Sequence, residues 1–316
     1  MTNTLLRYSH FGEPESVLER LTEQLPPLNE GSLRVHMRFA PVNASDLIPI
    51  TGAYGHRITP PLVAGYEGVG IVTNAPAEYA HMLGRRVLPL RGQGTWQQYV
   101  DCPAQLAGPV PDDISDAYAA RAWINPLAAT LMLKHFSPLG KRVLVTAAGS
   151  ECAQLLGQWA LKSGARKVMG VYRSSAHADK LARLGMIPVA EAETDVIRRY
   201  AKTADVVYES VGGELANTLL SHLPDTAQFV SYGLLSGQPF SMQDRAATLH
   251  WFHVRNYLAT MSAAAWQAEF KAIWLLLRQT TLSDVTLFPL EQWQAAIAHY
   301  KTAGRTGKPM LDFTAR

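Results

Sequence analysis

Cysteine is nearly absent: Cys102 and Cys152 are the only two in 316 residues. That excludes a disulfide scaffold. Long apolar runs are missing as well. No stretch of 18 consecutive apolar residues occurs, so no membrane-spanning helix is expected. The N-terminus shows no basic region followed by an apolar block, the pattern of a secretory signal. Charge of one sign is not concentrated. The formal net charge is +3, and the densest cationic group, Arg85, Arg86 and Arg91, falls short of a nucleic-acid stripe. That group reads as a solvated face. These absences lead us to expect a cytoplasmic protein acting on a small molecule, with neither nucleic acid nor membrane as partner.

What is present is an ordinary globular balance, with 47% apolar and 17% charged residues. The length allows two domains with sizeable cores. The first third reads as β-rich. In Leu33-Arg34-Val35-His36-Met37-Arg38-Phe39 apolar and polar residues alternate, the period of a half-buried strand. Gly68 to Val72, Arg86 to Leu90 and Trp96 to Val100 predict further short strands. Pro60-Pro61 and Gly92-Gln93-Gly94 separate them.

The pattern changes near residue 112. Asp112, Asp113 and Ser115 can cap a helix beginning around Asp116, and Pro126 to Phe136 reads as a second helix. Arg142 to Ala148 is an apolar run without alternation, as in a parallel strand buried on both faces. Helices then alternate with strands: a helix over 151–163, a strand over Val168–Tyr172, a helix over Ala176–Leu184 and a strand over Ile187–Ala190. The series continues with a helix over Thr194–Ala201, a strand over Asp205–Tyr208, a helix over Glu214–His222 and a strand over Gln228–Tyr232. Such a βαβ series implies a doubly wound parallel sheet of the Rossmann type. The tail predicts a long helix over Ala263–Arg278, a strand near Val285–Phe288, a helix over Leu290–Lys301 and a last strand near Met310–Phe313.

A dinucleotide fold needs a tight turn between its first strand and helix, where backbone N–H groups meet the pyrophosphate. Here the turn reads Ala147-Ala148-Gly149-Ser150-Glu151-Cys152-Ala153, with a single glycine. A plain strand-to-helix turn would read the same. Glu151 puts a negative charge where a diphosphate is expected. Either it turns outward toward solvent or the loop binds the diphosphate weakly. The second strand ends in Tyr172-Arg173-Ser174-Ser175, without the carboxylate that holds a ribose 2′-hydroxyl in NAD-specific folds. A guanidinium fork and two hydroxyls suit a 2′-phosphate instead, and so NADPH.

Val42-Asn43-Ala44-Ser45-Asp46, Gly52-Ala53-Tyr54-Gly55 and Gly65-Tyr66-Glu67-Gly68-Val69-Gly70 follow one another in order. Arg85-Arg86-Val87, Gly94-Thr95-Trp96, Asn125-Pro126, Asp205 to Gly213 and Ser231-Tyr232-Gly233 continue the series. Together they resemble the medium-chain dehydrogenase/reductase superfamily along nearly the whole chain. The 2-enoyl thioester reductases resemble it most, and the quinone oxidoreductases next. The resemblance implies a β-rich GroES-like catalytic domain over residues 1–120, completed by 262–316, with a Rossmann domain over 121–261.

Zinc-dependent members carry a cysteine where Asn43 stands and a histidine where Tyr66 stands. An amide and a phenol are not zinc ligands, and two cysteines cannot form the four-cysteine site of such members. The expectation is chemistry without a metal. Tyr54 matches the tyrosine credited in the enoyl thioester reductases with donating to the substrate. By the same resemblance Asn43, Asn125, Tyr232-Gly233, Tyr257-Leu258-Ala259 and Lys308 approach the cofactor, together with the loop Gly149-Ser150-Glu151-Cys152 and Arg173-Ser174-Ser175. Ala128 stands where a family threonine is usual. The resemblance also implies a homodimer through the edge of the cofactor-domain sheet, with Trp251-Phe252-His253-Val254 lying before that domain's last strand. No Gly-x-Ser-x-Gly elbow marks a nucleophile, and both cysteines read as inert.

Three functions compete at this stage. The first is an NADPH-dependent reductase of α,β-unsaturated thioesters. The second is a quinone or alkenal reductase of the same fold. The third is a nucleotide-binding homologue that has lost turnover, which Glu151, Ala153 and Ala128 motivate.

Overall fold

The computed structural model describes residues 1–92, 94–241 and 246–315. Gln93 of the expected Gly92-Gln93-Gly94 turn lies outside them. The chain divides into two compact units. Unit 1 is Met1–Ile124 with Ser262–Arg278 and Ser283–Arg316, and unit 2 is Asn125–Met261 with Gln279–Leu282.

Unit 1 begins with strands β1 (Thr2–Tyr8), β2 (Leu18–Gln24), β3 (Ser32–Pro41), β4 (Leu62–Val63) and β5 (Val69–Asn74). Strands β6 (Arg86–Leu88), β7 (Tyr99–Pro103) and β8 (Gly108–Pro109) follow. β3 organises this unit. Leu33, Val35 and Met37 are fully buried, as the alternation in sequence implied. Arg34, on the opposite phase, is also buried, because its Nε and Nη2 each donate to the Asp101 carboxylate at 2.8 Å. Along one edge β3 pairs antiparallel first with β7 and then with the C-terminal strand of the chain. Its other edge pairs with β5.

The expected strand over Trp96–Val100 forms three residues later, as β7. Trp96 is diverted from it. Its amide donates to the Ala64 carbonyl at 2.9 Å, its carbonyl accepts from Leu6, and its ring is wholly buried. Arg86 corrects the solvated-face reading. Its guanidinium donates to the Ile114 and Pro111 carbonyls and to Asp116, each at 2.8 Å, and so ties β6 to the segment beyond it.

In unit 2 the strands are β9 (Arg142–Val145), β10 (Lys167–Tyr172), β11 (Ile187–Ala190), β12 (Val206–Glu209), β13 (Gln228–Ser231) and β14 (Thr248–Trp251). They form one parallel sheet in the order β11-β10-β9-β12-β13-β14. The order reverses beside β9, which makes the β9/β12 boundary the topological switch point of a Rossmann sheet. β9 ends at Val145, before the expected Ala148, because Ala147 takes φ 47° and turns the chain into the next helix. A left-handed alanine costs roughly 1 kcal/mol, and such local strain gathers at functional turns.

β14 was not legible as a strand. It contains Trp251, so the aromatic stretch 251–254 does not precede the last strand but ends it and opens the short helix Val254–Leu258. The chain then returns to unit 1 with helix Ala263–Leu277, β15 (Val285–Pro289), helix Trp293–Lys301 and β16 (Lys308–Asp312). β16 pairs parallel with β15 and antiparallel with β3. Among the described residues no helix is long and apolar enough to cross a membrane.

Candidate active site

In unit 1 the expected catalytic tyrosine sits on a tight turn. Gly52 takes φ 91°, which a side chain would resist, and its carbonyl accepts from the Gly55 amide at 2.9 Å. A Cβ added at Gly52 or Gly55 would stand 3.2 or 3.3 Å from the Phe11 ring. Both glycines therefore pack flat on that ring, and Tyr54 is carried between them, half-buried. The Tyr54 carbonyl accepts from Arg57 and Ile58 and closes the turn on its far side. Tyr66 belongs to the same surroundings. It is 39% exposed, but partial desolvation, with Tyr8, Asp46 and Tyr54 nearby, raises its phenol above the usual range.

Behind Tyr66 lies a buried polar network. The Asp46 carboxylate accepts from the Asn43 amide at 2.7 Å and the Tyr66 amide at 2.9 Å. The Asn43 side chain donates to Glu67 at 2.7 Å and accepts from the Lys308 ammonium. The other Glu67 oxygen accepts from the Ile124 backbone N–H at 2.8 Å. Burial pushes the Asp46 carboxyl up to about 7, against the pull of the Asn43 amide and the Lys308 charge. Burial likewise pushes Glu67 up to about 7, opposed by the Ile124 amide and Lys308. The structure thus joins Asn43 to Lys308, two residues expected to reach the cofactor, through each other's side chains. Asp46 and Glu67 were missed as partners. Their only signal was a pair of carboxylates flanking residues already singled out.

The Ile124–Glu67 bond also moves a helix boundary. The helix runs over Ile124–His135, two residues earlier than expected. Glu67 supplies an acceptor for an N-terminal amide that has none within the helix, and Pro126 has no N–H to lose. Asn125 consequently lies in the first turn.

In unit 2 the loop residues gather at the carboxyl ends of β9, β12 and β13. Ser150 caps helix Glu151–Lys162, its hydroxyl accepting from Ala153 at 3.3 Å. A Cβ added at Gly149 would lie 2.5 Å from the His177 ring, so the imidazole covers the loop backbone and only glycine admits it. His177 was missed by the sequence reading. Arg173 is exposed just beyond β10. Ser174 stands at the N-cap of the following turn but makes no cap bond with its hydroxyl, and Ser175 is exposed. Glu151 corrects an expectation: it does not turn toward solvent. It is buried, at 9% exposure, and accepts from the Asn125 side-chain amide at 3.4 Å.

At the switch point, one Glu209 oxygen accepts from the Val211 and Gly212 amides at 2.5 and 2.8 Å. Burial raises this carboxyl, opposed first by those amides. The second Glu209 oxygen and the Ser210 hydroxyl are buried without a well-formed hydrogen bond. The Tyr232 hydroxyl, near Ser210 and Cys152, is in the same condition, and its burial raises it far above the usual phenol range. Gly233 backs directly onto Ser210, where an added Cβ would meet its side chain at 3.0 Å. Tyr257 lies in helix Val254–Leu258, its ring 4.6 Å from His135 and 5.3 Å from Phe252; Leu258 closes the helix and Ala259 caps it. Buried polar atoms without well-formed bonds at strand ends beside a switch point, next to a capped helix N-terminus, fit a dinucleotide.

Among the described residues no group of three or more His, Cys, Asp or Glu side chains could hold a metal ion. Cys102 is buried, which pushes its thiol up to about 12; Cys152 is half-buried.

Two family models match the chain: the alcohol dehydrogenase GroES-like domain over residues 29–112 and the zinc-binding dehydrogenase over residues 153–279. Prostaglandin reductase-3 of Bos taurus is 30% identical over 273 residues, covering 79% of this chain and 71% of that protein. The mitochondrial enoyl-acyl-carrier-protein reductase of Homo sapiens is 31% identical over 248 residues, covering 74% and 66%. Among solved structures, a candidate NADPH:quinone reductase from Bacillus thuringiensis aligns with a TM-score of 0.92 at 33% identity, covering 99% of both chains.

Proposed function

The chain belongs to the medium-chain dehydrogenase/reductase superfamily of oxidoreductases, and we propose that it is an NADPH-dependent reductase of the C=C bond of α,β-unsaturated thioesters. The observation that carries this reading is Tyr54, a half-buried phenol held between two glycines packed on Phe11. The likeness to enoyl-acyl-carrier-protein reductase supports it.

Gly149, Ser150, Glu151, Cys152, Arg173, Ser174, Ser175, Tyr232, Gly233 and Asn125 would hold the dinucleotide, with Tyr257, Leu258 and Ala259 beside them. NADPH, when bound, supplies a hydride to the β-carbon. Tyr54 donates its O–H to the thioester carbonyl oxygen, where negative charge builds. One proton taken up at the α-carbon completes the reduction. Asn43 and Lys308 stay with Glu67 and Asp46 and keep Tyr66 in place. The test is direct: pure protein with crotonyl or longer enoyl thioesters should oxidise NADPH, read as loss of its absorbance. A quinone reductase is the second reading, favoured by the Bacillus thuringiensis likeness. It predicts turnover of quinones and indifference to thioesters. Saturable NADPH binding in the micromolar range, read by quenching of the seven tryptophans, with no oxidation by thioesters or quinones, is the result expected of a nucleotide-binding homologue that has lost turnover.

Arg173→Ala is expected to weaken NADPH binding by about 10- to 100-fold, as for loss of a charge-assisted bond. NADH binding should stay within about twofold. Equal losses for both dinucleotides would remove the 2′-phosphate assignment.

The homodimer reading rests on the sheet edge. β14 ends the strand order, and Trp251 on it is 55% exposed, with Leu234 and Leu235 also exposed. A strand that ends a sheet and carries an exposed tryptophan invites pairing with a second copy. Trp251→Glu is expected to shift the protein from dimer to monomer at micromolar concentration. Light scattering behind size exclusion reads this, and a variant that stays dimeric argues against that edge.

A further inference from the structure

We infer that Glu151 is a positioning residue that fixes which face Asn125 turns to the nicotinamide; the inference rests on the NADPH reading above. A glutamate opening the phosphate-loop helix is unexpected, because a carboxylate there repels a diphosphate. It would be tolerated most cheaply on the surface, yet Glu151 is buried and lies against the Asn125 side chain.

The chemistry of the pair is one-sided. An ionised carboxylate only accepts hydrogen bonds, whereas a primary amide has a donor NH2 on one side and an acceptor oxygen on the other. Glu151 therefore selects the NH2 side of Asn125, at 3.4 Å. The Asn125 Oδ1 is left as the side available to a ligand. Without the carboxylate, the two orientations of a side-chain amide differ little in shape and exchange by a half-turn. The feature of the nicotinamide that this arrangement recognises is its carboxamide N–H, a donor. The charge cost of Glu151 at the phosphate loop is then offset by a single orientation of Asn125.

The experiment compares NADP⁺ with its 3-acetylpyridine analogue, in which a methyl group replaces the carboxamide NH2. Binding is read by tryptophan quenching, with no turnover required. The wild type should prefer NADP⁺ by about tenfold, the scale of one hydrogen bond. Glu151→Gln offers Asn125 a donor as well as an acceptor and so no longer selects one side; it should lose most of that preference while still binding both dinucleotides. Glu151→Ala should reduce the preference to within about twofold of unity, as should Asn125→Ala. The ratio cancels any change common to both ligands, so a general loss of loop structure does not imitate the result. Retention of the tenfold preference in Glu151→Ala overturns the inference. Retention of the full tenfold preference in Glu151→Gln does so too. If the wild type binds neither dinucleotide, the cofactor reading itself fails, and this inference falls with it.

Discussion

Tyr54→Phe is expected to lower kcat/KM for a short enoyl thioester by about 10²-fold, or roughly 2.7 kcal/mol of transition-state stabilisation. The loss should fall mainly on kcat. The hydroxyl acts on charge that develops during hydride transfer, whereas the ring keeps its packing in the variant. The local structure should be unaffected, because the turn is closed by backbone bonds and by the fit of Gly52 and Gly55 on Phe11. NADPH affinity should not change. The measurement is initial rate by NADPH absorbance, with dinucleotide affinity measured in parallel. A variant retaining the full rate removes Tyr54 from the chemistry. Tyr66→Phe then becomes the informative variant, since Tyr66 shares the Tyr54 surroundings as a neutral phenol.

The largest effect on stability is expected at Asn43. Its side chain, at 4% exposure, stands between the Lys308 ammonium and the Glu67 carboxyl and satisfies both. Asn43→Leu leaves a buried cation and a buried carboxyl without the amide that joins them. Removing one partner of a buried ionic network costs about 3–5 kcal/mol. Glu67→Gln keeps an acceptor for the Ile124 amide and should cost well under half as much. Urea titration followed by tryptophan fluorescence reads both. If Asn43→Leu unfolds at the same urea concentration as the wild type, the network is not what stabilises unit 1. The Asn43 group that donates to Asp46 is its backbone N–H, which the variant keeps, so Asp46 should still hold the Tyr66 amide and any loss of activity should follow the loss of folded protein.

How much of this was legible depended on how local its cause was. The parallel sheet could be read from Arg142–Val145, Lys167–Tyr172 and Val206–Glu209, because strands buried on both faces must be apolar throughout. The strand-to-helix turn at Gly149 and the Arg173 strand end could be read because each depends on neighbours within a few residues. β14 could not. Thr248–Trp251 is a short edge strand that carries no buried pattern of its own. Glu209 left a faint signal, a carboxylate three residues before the Gly212-Gly213 pair whose loop amide it binds.

The buried polar network of unit 1 was beyond the reach of sequence because its members lie far apart. Lys308 and Asn43 are separated by 265 positions, and Glu67 and Ile124 by 57. A helix start looked two residues late for the same reason. The missing acceptor came from another part of the fold, and no cap residue announced it.

The opening scarcity of cysteine and the amide and phenol at Asn43 and Tyr66 were properties of the sequence alone. So were the α/β alternation and the guanidinium beyond β10, since each is set by residue type and near neighbours. What those residues do was decided by tertiary structure. Burial turned Asn43 from a replaced ligand into a bridge between Lys308 and Glu67, and set Glu151 against Asn125. The physical reason is common to both. A buried polar group must find its partner inside the fold, and that partner is chosen by which segments the fold brings together.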